Sequence, residues 1–520
     1  MIVGIDMKKI KDKKKLYMIF GITVLVVAII GSTYAYYRYV LTSTSVNTIT
    51  RGLDYYINYA KGTDITSATL NPSADYTGGN SVTVTLNKKD NTYDIYGHIY
   101  LDISTIGSNL SNSDALKYTV LEGSTKVSEG KLKGVTSNGS YLLAVNIPLK
   151  TTSTTYTVYL WLDESAGSDT SIEGETIKAT VRCEATMKEI NDEPYTFSFS
   201  RKIISLYNVS TKTDVTNNSI TYKYDTKNNL MQDVGGNIRY YGASPNNYVY
   251  FNCSDYANQS SSTCELWRII GVFDGKVKLV RDTSIGSYSW DNKDTTTGAE
   301  NNNGKNDWTD ARLMKLLNPG YDSETVGGSL YYNAKSGTCY VGKNNATVAC
   351  NFTSIGIKNS TTRNLIQEVV YNIGGWDTPA VYSDFIYEKE RGTTVYSGRP
   401  TTWTGKIGLM YPSDYGYAAD FTKCKDASGN DLTIYNYASN VNDYQCRKNN
   451  YLYKNKSEWL LIPSSGSSYS VWDVDSPSYV NSGAYVSNGG AIRPVVFLSS
   501  TQDIAGGEGT ENNPYQLLVD

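Results

Sequence analysis

Histidine is almost missing from this sequence, with His98 the single copy in 520 residues. Neither HExxH nor CxxC occurs, so zinc chemistry has no recognisable ligand set. Basic excess is missing too. The net charge is −3 although six lysines crowd the first fifteen residues, so the remainder is acidic. Nucleic acid, which needs a concentrated basic face, is excluded as a partner. Phenylalanine is scarce, nine copies against 46 tyrosines. Tyrosine with threonine, serine and asparagine marks wet β-surfaces and turns. Cysteine is nearly absent before residue 250, where only Cys183 stands.

Long hydrophobic runs are lacking except for one. Residues 16–35, LYMIFGITVLVVAIIGSTYA, are uncharged and follow Lys8, Lys9, Lys11, Lys13, Lys14 and Lys15. Twenty such residues can cross a bilayer as a helix, and the lysines keep its start cytoplasmic. The rest of the chain is then expected outside the cell. Two readings stay open: a retained anchor, with Tyr34, Tyr36, Tyr37 and Tyr39 at the membrane interface, or a signal peptide cut between Ala35 and Tyr36.

The length predicts two or three domains, divided as a basic tail and transmembrane or signal segment (1–43), a β-sandwich (44–190), a charged linker (191–203) and an α+β ligand-binding domain (204–520). In the first domain, alternating segments at 81–86, 98–103, 116–122, 141–147, 155–162 and 177–183 are separated by turn clusters. They predict a jelly-roll or immunoglobulin-like sandwich, after a short helix at 53–60. Cys183 shares parity with Ile177, Ala179 and Val181 and is expected to face the core.

Six cysteines fall after residue 250. Fifteen connectivities are possible. Sequential pairing, Cys253 with Cys264, Cys339 with Cys350 and Cys424 with Cys446, is preferred because each pair brackets an Asn/Ser/Gly/Asp-rich loop. Asp274-Gly275 between two apolar runs predicts a hairpin over 266–280. Helices are expected at 307–317, with Asp307 as cap, and at 360–371, with Leu365, Ile366, Val369 and Val370 on one face. Further strands are expected at 405–410, 458–462 and 492–498.

The stretch 463–493 reads as a long, ordered loop in which Tyr469, Trp472, Tyr479 and Tyr485 alternate with small polar residues. Such loops bind partners, the aromatics by stacking and Asp473, Asn481 and Asn488 by directed hydrogen bonds. The same aromatics could instead pin the loop to its own domain. The run Asp291–Asp294, Glu300–Asn303 and Asp307 offers oxygen ligands of the kind calcium takes, but its spacing fits no EF-hand and it reads first as a solvated loop. No other metal or cofactor is expected.

The polylysine start, apolar run and GSTYAYY at 31–37 resemble the TasA/camelysin group of Gram-positive surface and fibre proteins. That resemblance implies a β-sandwich and biofilm fibres; the group's metallopeptidase label finds no ligand set here. The ordered pieces LWRIIGVF (266–273), DWTDARLMKLLN (307–318), GKIGLMYPSDYGYA (405–418), EWLLIPSS (458–465) and AIRPVVFLSS (491–500) resemble uncharacterised bacterial surface domains of distantly C-type-lectin or formylglycine-generating-enzyme form. It implies a ligand face at 464–490, with Arg493 as structural anchor. No EPN or QPD calcium motif is present, and the enzyme's catalytic cysteine pair has no counterpart.

The preferred expectation is a non-enzymatic, membrane-tethered or secreted adhesin that recognises an extracellular glycan or protein. A self-associating fibre or biofilm-matrix subunit is the alternative, and a glycan hydrolase using Asp414 and Asp473 the third reading. The end, NNPYQLLVD, carries no sortase signal, so attachment is expected through the N-terminal segment or partners.

Overall fold

The computed structural model describes residues 39–41, 57–62, 64–68, 70–190, 192, 194–292, 303–324, 327–341, 348–438, 444–475 and 479–519. The candidate span 16–35 and the cleavage position Ala35–Tyr36 lie outside them. Among the described residues no helix is long and apolar enough to cross a membrane. The protein is mainly β, with several sheets and three disulfides.

Two compact units divide the chain, Met1–Phe197 and Ser198–Asp520. In the first, strands Tyr39–Leu41, Ile65–Ala68, Tyr96–Ile106, Gly139–Pro148 and Ile177–Thr186 form one sheet. The second sheet holds Ile57–Lys61, Pro72–Ser73, Asn80–Lys88, Leu116–Glu122, Thr125–Lys131 and Thr154–Asp163. Period-two alternation gives each long strand one apolar face. Val82, Val84 and Val158 of one sheet join Ile99, Leu101 and Val181 of the other in a single buried cluster. Cys183 is a free, buried thiol in that cluster.

The helix expected over 53–60 is overturned in its described part. Ile57–Lys61 is a strand paired antiparallel with Asn80–Lys88. A helix of so few residues is marginal by itself, whereas Ile57 and Tyr59 suit a strand and the neighbour supplies its hydrogen bonds.

Segment 191–203 straddles the division. Tyr195 is buried with the first core. The helix Phe199–Val209 begins inside the segment, where Ser198 Oγ accepts from the Arg201 amide. Its Phe199, Ile203 and Tyr207, spaced by four, lie in the core of the second unit.

In the second unit, a long sheet runs through Thr213–Asn217, Ile220–Asp225, Leu230–Gln232, Ile238–Tyr240, Glu265–Phe273, Lys276–Arg281 and Val495–Leu498, with Tyr248–Phe251 on Glu265–Phe273. Its central hairpin turns at Asp274 (φ 46°) and Gly275 (φ 74°), the left-handed pair that an Asp-Gly turn supplies. A five-stranded sheet joins Ser287–Ser289, Gly489–Ala491, Glu458–Pro463, Ser470–Val474 and Val480–Tyr485. The cystines are Cys253–Cys264, Cys339–Cys350 and Cys424–Cys446.

Four expectations are corrected here. Residues 463–493 are not one irregular loop: Ser470–Val474, Val480–Tyr485 and Gly489–Ala491 are strands of the five-stranded sheet. The helix over 360–371 stops at Leu365, and Val369–Asn372 pairs antiparallel with Thr402–Gly405. Apolar residues at 365, 366, 369 and 370 share a helical face but divide between the two faces of a strand, so periodicity alone favours helix and the strand partner Thr402–Gly405 overrides it. The strand expected at 405–410 gives way to a single bridge, Gly408 to Val495, beyond Gly405. The helix expected from Asp307 runs only over Arg312–Leu317, and Asp307 caps the preceding turn through the Thr309 amide and hydroxyl.

Candidate functional site

The residues expected to bind are split by their strand positions. Trp472 is fully buried and its indole N–H donates to the Trp376 carbonyl at 2.8 Å, so it is a core residue rather than a ligand contact. Asp473 is buried opposite Asn481 on the neighbouring strand, with one oxygen accepting nothing. Burial, with Asp475 close by, raises its pKa well above the ordinary carboxylate value. Tyr479 donates to Asp475 at 2.9 Å and packs on Tyr435, while Tyr469 and Tyr485 meet edge-to-face at 5.1 Å. The Asn481 amide oxygen is committed to the Ser482 and Gly483 amides. Tyr485 and Asn488 are exposed at a turn closed by the Asn488 amide on the Tyr485 carbonyl. Two tyrosine pairs remain accessible, while Trp472 and Asp473 are buried beneath the surface that carries them.

Arg493 is an anchor. Its guanidinium holds both oxygens of Glu458, at 2.7 and 2.8 Å, and the Leu452 carbonyl at 2.6 Å. The calcium-like oxygens are engaged where described. Asp291 accepts from the Lys305 and Arg312 amides. Residues 293–302 lie outside the description. Among the described residues no three His, Cys, Asp or Glu side chains converge to hold a metal. His98 is buried in a strand: Nδ1 accepts from the Asn146 amide at 3.2 Å, which leaves Nε2–H to donate to Thr186 Oγ1 at 2.8 Å.

A larger feature lies elsewhere. A cleft of about 420 Å³ is lined chiefly by three pieces of chain, with Gly235 and Asn237 beside them. The Asp274-Gly275 hairpin contributes Phe273, Asp274, Lys276 and Lys278. The strand Val369–Asn372, preceded by Glu368, contributes Tyr371 and Asn372. Helix Ser383–Glu390 with the residue after it contributes Tyr387 and Arg391, whose guanidinium lies 3.5 Å from the Tyr387 ring centre. Tyr411 and Phe497 also line it.

Behind the cleft is a buried ionic cluster. Lys278 Nζ donates to Asp414 Oδ2 at 2.5 Å, and Arg239 donates to Asp414 Oδ1 at 2.8 Å and to Asp233 at 2.5 Å. The four side chains are 1% exposed or less. Aromatic rings enclose both cations: Phe273, Tyr411 and Phe497 lie around Lys278, and Phe273, Tyr387 and Tyr417 around Arg239. Burial pulls the Lys278 amine down to about 8, against the opposing pull of Asp414. Burial would raise Asp414, but the two cations together bring it below its ordinary value. Glu390, also fully buried, accepts from the Ser413 amide at 2.7 Å and the Ser413 hydroxyl at 2.5 Å. Burial raises its pKa to about 7, and the charge of Asp414 adds to the effect.

Asp414 and Asp473, the carboxylates considered for hydrolysis, belong to separate clusters. Asp414 is bound by two cations and the Tyr411 amide, and Asp473 faces Asn481.

No family model, curated protein or solved structure matches the chain. The resemblances drawn above rest on their quoted residues alone.

Proposed function

We propose that this chain is an exported surface protein that binds a glycan in the cleft lined by Tyr371, Tyr387, Arg391 and Asn372. One observation carries the reading. Around aromatic rings, the cleft gathers Asp274, Lys276, Glu368 and Asn372, whose side chains make no hydrogen bond or ion pair among the described residues. Sugar rings present apolar faces that stack on aromatics and hydroxyls that take bidentate polar partners, and a concave site of this size suits one or two residues of an oligosaccharide. Export is supported by the apolar run behind its lysines and by three cystines, which persist in oxidising surroundings. On this reading the first unit is a β-sandwich stalk. The C-terminal unit is C-type-lectin-like, with its ligand face in the cleft instead of at 464–490.

The test is a glycan array probed with the full-length protein, followed by titration of the strongest sugar. Tyr387→Ala and Asn372→Ala should each weaken binding about tenfold, the worth of one stacking or hydrogen-bonding contact. An empty array, or a signal that both variants retain in full, defeats the proposal.

A further inference from the structure

We propose that Lys278 and Asp414 condense into an intramolecular amide, a covalent brace between the central hairpin and helix Pro412–Tyr417. Amine and carboxylate meet at 2.5 Å, both essentially without solvent, from positions 136 residues apart in sequence. Phe273, Tyr411 and Phe497 surround the amine. An ion pair in such a place bears a large desolvation penalty, which an uncharged amide removes.

The reaction balances within the molecule. Proton transfer from the ammonium to the carboxylate, opposed by Arg239 on the other oxygen and favoured by the absence of solvent around the pair, gives the neutral amine and acid. The Nζ lone pair attacks Cγ, the Nζ–Cγ bond forms, a Cγ–O bond breaks, and one water leaves carrying that oxygen and two protons. No oxidant, reductant or cofactor enters. Arg239, bound to the other carboxylate oxygen at 2.8 Å, stabilises negative charge as it builds during attack. Burial disfavours the ammonium form of Lys278 and so favours the uncharged amine that attacks. The charge balance survives the product. Lys278 and Asp414 vanish together as a cation and an anion, and Arg239 keeps Asp233 as its counter-ion at 2.5 Å. Lys278 lines the cleft, so the released water has a way out.

Intact-mass measurement of the reduced, purified full-length protein tests this directly. The expected mass is that of the sequence less one water, and a tryptic map should contain one branched species joining the Lys278 and Asp414 peptides, uncut after Lys278. Lys278→Arg and Asp414→Asn should each lack the branched species and show the full mass of their sequences. Wild-type protein at the full sequence mass overturns the proposal. So does a water loss without the branched peptide, as cyclisation of an aspartate elsewhere would give. None of these readouts depends on a sugar binding, so the brace and the glycan site stand or fall separately.

Discussion

Asp473 illustrates how a residue's chemistry follows from where its strand places it. One of its buried oxygens accepts no hydrogen bond, and burial together with Asp475 favours the protonated acid in the folded state. In the unfolded chain the group ionises near its ordinary value of 3.8. The folded protein therefore holds a proton that the unfolded chain releases, and stability falls as pH rises from that value through the raised one. Asp473→Asn keeps the shape and removes the titration. Melting temperatures across pH 3 to 8 should show the variant matching wild type at the acid end and exceeding it at the alkaline end. An unchanged pH slope would show that Asp473 ionises freely in the fold. The neighbouring Trp472 makes the same point about legibility. Its Ser-Tyr-Ser-Val-Trp-Asp context resembles a binding loop by composition, but Ser470, Val471, Trp472 and Asp473 are all buried in a strand covered on both faces. Small polar residues concealed a buried strand because sheet coverage is a tertiary property.

At the scale of elements, the strands with strict alternation and the Asp-Gly hairpin could be read directly, because period and turn chemistry are local. The expected sequential cysteine pairs are those the structure contains, each closing its own loop. The buried ionic cluster could not be read. Asp233, Arg239, Lys278, Glu390 and Asp414 come from separate elements, and Lys278 in KVKLVR reads as the polar face of a strand. Only the covering of that face by Tyr411 and Phe497 makes it a core residue. Among the cystines, Cys424–Cys446 closes the longest loop, 22 residues against 11 for each of the others, and both its cysteines are fully buried. Loop-closure entropy assigns it roughly 3 kcal/mol. Replacing both by serine should lower the unfolding free energy by about that amount, more than the same change at Cys339 and Cys350. Denaturant titration of the two double variants ranks them, and equal losses would mean that native-state packing around the cystines outweighs loop length.

For the whole molecule, the decisive asymmetry is how each unit is held together. The first unit, Met1–Phe197, has a core of alternating aliphatics from two sheets, and its only cysteine is the free thiol Cys183. The second, Ser198–Asp520, has long connections, several two-stranded sheets and all three cystines. A unit with its own core unfolds cooperatively, so calorimetry of the intact protein should resolve two transitions. Reduction relaxes constraints on the unfolded chain of the second unit alone. Adding a strong thiol reductant should move one transition to lower temperature and leave the other in place. The stationary transition should coincide with that of a fragment ending at Phe197. A single transition, or an equal shift in both, would mean that the two cores do not unfold independently, and the stalk-and-binding-head division built on them would fall.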